Sequence, residues 1–415
     1  MYNFVMNKHN DALNIYSTLR FTSALLFSVI VTVNLVYQAT VVGLNPLQLV
    51  LVGTVLETIS FLFEIPTGIV ADVYSRKLSV MIGLLLIGLG FTVEGLFPHF
   101  GAILIAQVIW GIGFTFVSGA REAWIADEVG EDNAGKAYSK GSQMSLTGSL
   151  IGIGISMALA NINIRLPIIL GGILYSFQSL YLYLFMPENN FHPVPVSKRE
   201  TFDKMKETFS SGLRLVKVNP VLLIVVITGL IFGMFSEGFD RLWTPFMLNN
   251  FTFPTIWNPK PITWFGILAM VSNILAIFAI RYAESKTDTN NHKSTVSTLL
   301  LTNALLVAAT VVFGLSGSFV MAAIMFWLVS MFREVRNPFY DAWMNQNVES
   351  KVRATVFSMC SQANAVGQIA GGPILGWIAT AISLKISMIL AGIVLIPTLF
   401  LYNYSIKTHK LLFEK

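Results

Sequence analysis

Apolar residues fill this chain in long blocks separated by short polar breaks. Twelve blocks can be read, near 14–38, 46–71, 77–97, 101–127, 137–160, 164–186, 219–247, 262–283, 293–314, 318–345, 353–381 and 384–405. Each approaches or exceeds the roughly 20 residues that a helix needs to cross a bilayer. Strand-like alternation is absent, which argues against an outer-membrane barrel. The first block is too long for a signal-peptide core and lacks a small-x-small cleavage site, so it reads as a retained span. The pattern predicts an all-α integral membrane protein.

Most connections are short. The exceptions are Pro187–Pro220 and the segment near Asn249–Pro261. The first divides the chain into a bundle over 1–186, a linker over 187–218 and a bundle over 219–415. Within the linker, Phe202, Met205, Phe209, Leu213 and Val216 recur at helical spacing among Lys198, Lys204, Lys206 and Arg214. This predicts an amphipathic helix resting on an anionic membrane face, with a partner-binding helix as the alternative.

Composition narrows the class. Of 415 residues, 54% are hydrophobic and 12% charged, with mean hydropathy +0.67. Soluble domains carry about 25% charged residues, so an ordinary soluble enzyme, a disordered chain and a nucleic-acid binder are excluded. Cys360 is the single cysteine, which rules out a disulfide framework or a cysteine-based zinc site. The net charge of +5 reflects topology. With a cytoplasmic N-terminus, nineteen of the 27 basic residues fall inside and only Arg165, Arg241, Lys260 and Lys385 at or near the outside. Both termini are then cytoplasmic.

The two halves repeat. At an offset of 219 residues, Glu122-Ala123-Trp124 answers Asp341-Ala342-Trp343 and Ser142-Gln143 answers Ser361-Gln362. Gly148 and Gly152 answer Gly367 and Gly371. Two parallel six-helix repeats are a transporter signature. The glycines also predict close helix crossings.

Ionisable groups inside a membrane are costly and mark cavities or partners. Thirteen are found within the spans: Arg20, Glu57, Glu64, Glu94, Arg121, Glu122, Glu237, Asp240, Arg241, Arg333, Glu334, Arg336 and Asp341. Ten of these lie on spans 1, 4, 7 and 10, which suggests that every third helix lines a common polar cavity. Arg20, Arg121, Glu122, Glu237, Asp240, Arg241, Arg333, Glu334, Arg336 and Asp341 are therefore candidates for contact with substrate. Structural pairing is the competing reading. Glu237, Asp240 and Arg241 share one face of span 7 as a self-neutralising group. Arg333, Glu334 and Arg336 leave one excess positive charge, which could attract a carboxylate on span 1, 4 or 7. Arg20 is expected to reach the inner interface, and Glu94 to sit at the outer one. Glu57 and Glu64 lie on one face of span 2. Desolvation there favours a neutral carboxyl, which makes both candidates for proton coupling, with a helix–helix hydrogen bond as the alternative.

Span 2 ends in Gly68-Ile-Val-Ala71-Asp72-Val-Tyr-Ser75-Arg76-Lys77. This resembles the loop motif G-x-L-a-D-r-x-G-r-k of the major facilitator superfamily, and the resemblance extends over the whole chain through the twelve spans and their repeat. It implies twelve transmembrane helices in two pseudo-symmetric six-helix bundles. It also implies that Gly68, Asp72, Arg76 and Lys77 belong to a gating loop. Asp72 would then sit against a helix N-terminus, such as that of span 11. Arg76 would pair with Asp127 or, second, Glu122. Val73 and Ser75 depart from the motif. Within the superfamily, Phe63-Glu64-Ile65-Pro66-Thr67-Gly68 and Ser236–Trp243 are most similar to bacterial drug:proton antiporters of the tetracycline and macrolide efflux type. Two features of that group are missing: Gln107 stands where it carries an Arg four residues before Gly111, and Gly148–Gly154 holds no Gly-Pro pair. Gly372-Pro373 occurs in span 11 instead.

No catalytic motif is found. The five histidines lie in loops or tails, and no nucleotide-binding or nucleophile signature is present. The chain is expected not to be an enzyme, to need no cofactor or metal, to bind no nucleic acid and to work as a monomer. The expected function is proton-coupled efflux of drugs or other amphipathic small molecules across the plasma membrane. Such a protein would confer antibiotic resistance. The alternatives are a uniporter or importer of a nutrient or metabolite, and a non-transporting receptor or assembly factor.

Overall fold

The computed structural model describes residues 2–193, 220–254, 260–348 and 353–413. The amphipathic linker helix lies outside the described residues, as does Lys351. Among the described residues the structure is helical throughout, in fourteen segments. These are α1 (Tyr2–Thr40), α2 (Pro46–Val73), α3 (Arg76–Leu96), α4 (Phe100–Val117), α5 (Ala120–Val129), α6 (Glu131–Ile162) and α7 (Arg165–Phe185), followed by α8 (Pro220–Asn250), α9 (Pro261–Lys286), α10 (His292–Gly314), α11 (Phe319–Gln346), α12 (Arg353–Ala381), α13 (Leu384–Val394) and α14 (Ile396–Phe413).

Two of the twelve expected spans are broken. The fourth divides into α4 and α5 at Ser118-Gly119, where Gly119 has φ +74°. That left-handed conformation is disfavoured for residues with a Cβ. The twelfth divides at Leu395, just before Pro397, whose ring removes a backbone donor. Among the described residues, ten helical rods are long and apolar enough to cross a membrane. The more polar α11 carries Arg333, Glu334, Arg336 and Asp341.

Contacts divide the chain into two units. One comprises Met1–Leu44, Val55–Arg199 and Trp257–Gly266; the other comprises Asn45–Thr54, Glu200–Ile256 and Ile267–Lys415. In the first unit α1 packs along α6 and α7, and α3 along α4 and α7. In the second α8 packs along α12 and α13, and α10 along α11, α13 and α14. The internal repeat is therefore a repeat of helix pairings.

Lipid supplies no hydrophobic drive between helices, so close van der Waals packing has to hold them. Gly148 and Gly152 on α6 lie against the carbonyls of Phe21 and Leu25 on α1. Gly367 on α12 lies against the Leu230 carbonyl of α8, and Gly371 against Met234. The two tryptophans of the repeat, Trp124 and Trp343, are both fully buried.

Candidate substrate cavity and gating loop

Gly119 lets the chain turn and restart as α5, which places Arg121 and Glu122 in a first helical turn. A carboxylate is favoured there by the helix dipole. Arg20, two turns into the apolar part of α1, extends into the bundle to reach it. The structure thus gives Arg20 a carboxylate partner on another helix. Glu122 Oε1 accepts from Arg20 Nη1 at 3.2 Å, from Arg121 Nε at 3.1 Å and from Arg121 Nη2 at 2.9 Å. Arg20 Nε is buried without a hydrogen-bond partner.

These three charged residues form one end of a cavity of about 490 Å³ within the first unit. Its other end is aromatic, formed by Phe27, Trp110 and Phe114. Trp110 stacks on Phe91 at 5.2 Å and meets Phe114 edge-on at 6.5 Å, so the wall is held from behind. Tyr175, which donates to the Ser23 carbonyl at 3.1 Å, closes another side.

At one end of the same unit, the α2–α3 loop is tied down on several sides. Arg76 pairs with Asp72 one turn earlier and donates to Asp127 Oδ2 on α5 at 3.3 Å. Gly68, on the last turns of α2, has open space where a Cβ would be. Lys77 Nζ donates to the Tyr183 carbonyl at 3.0 Å. Ser75 caps α3 by accepting from Leu78 N at 2.8 Å, and its hydroxyl donates to Glu188 Oε2 at 2.6 Å. Glu188 Oε1 accepts from Lys77 N at 2.8 Å. The residues after Glu188 are held by Glu128, whose Oε1 accepts from Asn189 N at 2.7 Å. The pattern of the motif does not reveal Glu188 as a partner. The available signal is Ser75 itself, a helix-capping residue where the motif has glycine.

The charges of the second unit pair differently from the expected groups. Glu237 accepts from Arg241 Nε at 3.1 Å within α8. Asp240 instead receives both Arg333 Nη1 and Nη2 from α11, the latter at 2.7 Å. The trio on span 7 is thus not closed on itself; a carboxylate of that span takes the neighbouring guanidinium, whose fork matches it in two bonds. Glu334 is exposed and forms no ion pair among the described residues, so the pairing considered within Arg333, Glu334 and Arg336 does not form. Arg333 and Arg336 share a helix face at i, i+3, and Glu334, next to Arg333 in sequence, points away from that face. Arg336 is 4% exposed and lies over the rings of Phe232 at 3.9 Å and Tyr340 at 4.3 Å. Asp341 is exposed.

On α2, Glu57 is half-buried and Glu64 exposed. Glu94, expected at the interface, is fully buried. Its Oε1 accepts from Gln38 Nε2 at 2.6 Å, its Oε2 from Gln107 Nε2 at 3.2 Å and its carbonyl from Tyr37 at 2.7 Å. It lies near the end of α3, and partners from α1 and α4 enclose its carboxyl. Gln38 and Gln107, isolated polar residues in apolar runs, are the signal for this cluster.

The sequence profile of the Major Facilitator Superfamily matches residues 16–302. An uncharacterized MFS-type transporter of Bacillus subtilis (strain 168), YxaM, is 25% identical over 86% of this chain and 87% of its own length. Multidrug resistance protein 2 of the same organism is 22% identical over 78% of each chain. Among solved structures, a variant of the nucleoside transporter NupG superposes with a TM-score of 0.80 at 12% identity, over 95% of this chain and 99% of that one. A bacterial homolog of the human lysosomal transporter Spinster superposes with a TM-score of 0.74 at 16% identity, over 98% and 97%.

Proposed function

The chain belongs to the major facilitator superfamily, hence is a multi-pass membrane transporter of small molecules and not an enzyme, and from this premise we propose that it exports amphipathic compounds in exchange for protons. The plasma membrane is the proposed location, with both termini cytoplasmic. The observation that carries this reading is the cavity of the first unit. It has a charged end and an aromatic end in one space of about 490 Å³. Ligand pockets are typically about 300–1,000 Å³, mostly apolar, with a few placed polar groups. Aromatic walls suit amphipathic bodies without demanding one shape. The likeness to Multidrug resistance protein 2 favours the same reading.

No nucleotide motif is present in the sequence, so an ion gradient is the proposed driving force. Glu57 is the first candidate for the exchanged proton, being half-buried near the middle of α2. Glu64 on the same face is the second. The loop residues Gly68, Asp72, Arg76 and Lys77, with Asp127, are proposed to hold one state of the alternating cycle. The ion pairs of Asp72, Arg76 and Asp127 are what that state would lose on switching.

Expression in a strain lacking its own efflux pumps, against a panel of amphipathic compounds, tests the function. Lower sensitivity to at least one compound is expected, with Asp72→Asn removing protection while the protein still inserts. Unchanged sensitivity across the panel, or full protection by Asp72→Asn, would count against export or against the loop's role, respectively.

A further inference from the structure

The charge balance of the cavity narrows the substrate class. Arg20, Arg121 and Glu122 are the charged residues that line it. Two guanidinium groups therefore face one carboxylate, and the space carries one net positive charge. The neutralisation is also uneven. All three N–H contacts converge on Glu122 Oε1, and Arg20 Nε, buried, has no partner. A guanidinium is built to present two parallel donors to an acid group. A cationic ligand would instead face the excess positive charge of the two arginines.

The apolar end sets the rest of the molecule. Phe27 stands seven residues after Arg20 on α1, or about 10 Å along the helix axis at 1.5 Å per residue. Trp110 and Phe114 flank it, with Phe27 and Trp110 ring centroids 6.4 Å apart. We propose that this cavity selects amphipathic organic anions: an acid group on Arg20 and Arg121, and an aromatic or apolar body roughly 10 Å long against Phe27, Trp110 and Phe114. The proposal rests on the reading of the cavity as the substrate site.

Calorimetric titration of the full-length protein in phosphatidylcholine nanodiscs tests it, with empty nanodiscs subtracted. The probes are 4-(1-naphthyl)butyrate and its amine counterpart 4-(1-naphthyl)butylamine. The anion should bind at least tenfold more tightly. Arg20→Gln should erase that preference, and Glu122→Gln, which raises the excess charge, should bind the anion severalfold more tightly. A merely structural ion pair would lose binding in both variants, so a loss in Glu122→Gln would overturn the proposal. If Arg20→Gln fails to fold, Glu122→Gln decides alone. Equal affinities for the two probes, both weakened by Trp110→Ala, would overturn the anion selectivity and leave the cavity as the site. Absence of binding by either probe would overturn both. An anionic lipid shares this chemistry, so the titration is repeated with phosphatidylglycerol in the nanodiscs. Unchanged affinity assigns the cavity to a soluble anion, and loss of binding would overturn that assignment.

Discussion

Ser75 is a departure from its motif with a physical use. Glycine at that position would leave Leu78 N uncapped and Glu188 without a hydroxyl donor. The sequence showed Ser75 only as a departure from the motif, and Glu188 was not readable as its partner, because 113 residues separate them. Glu188→Ala should therefore destabilise the first unit by about 1–3 kcal/mol, since a charged hydrogen-bond acceptor is lost at two donors. A thermal melt in detergent checks it; a midpoint equal to wild type would show that the contact contributes nothing. Glu94 illustrates the opposite limit. Its place near a helix end was legible, while its burial is decided by Gln38 and Gln107 on other helices. Glu94→Leu should lower stability by roughly 2–6 kcal/mol, since two buried amide donors lose their acceptor. Glu94→Gln, which keeps an acceptor, should cost less in the same melt.

Helix pairing is where the sequence spoke most clearly. The matched glycines of α6 and α12 imply close crossings from spacing alone, and both helices approach a partner helix at those residues. Gly148→Leu should prevent the α1–α6 crossing and abolish a monodisperse elution peak. Gly154→Leu, on the same helix with open space where its Cβ would be, should elute as wild type. Similar behaviour of the two variants would remove the packing argument. The break between α4 and α5 was not legible. The run 101–127 contains four glycines, nothing in the sequence singles out Gly119 among them, and only the backbone there reveals the turn. Gly119→Ala should cost about 1–2 kcal/mol for the left-handed conformation, read as a lower melting midpoint.

For the molecule as a whole, the apolar blocks, the repeat of the two halves and the resemblance of Gly68–Lys77 to a known loop motif together pointed to a twelve-span transporter family. The excess positive charge of span 10 was expected to draw a carboxylate from span 1, 4 or 7, and it draws one from span 7, but which carboxylate was beyond that level. Asp240 joins Arg333 across helices, while Glu334 beside it turns away. Periodicity orders residues around one helix but does not say which neighbouring face each one meets. The same holds for the cavity: Arg20, Arg121 and Glu122 were all candidates, but their convergence depends on where α5 restarts. The cavity and the carboxyls of α2 together make the account a coupled exporter. That claim is tested by uptake of a panel-identified substrate into everted membrane vesicles with an imposed pH gradient. Wild-type vesicles with an acidic lumen should accumulate substrate above the no-gradient level, and Glu57→Gln vesicles should not. Equal accumulation with and without the gradient, or a Glu57→Gln profile matching wild type, would contradict it.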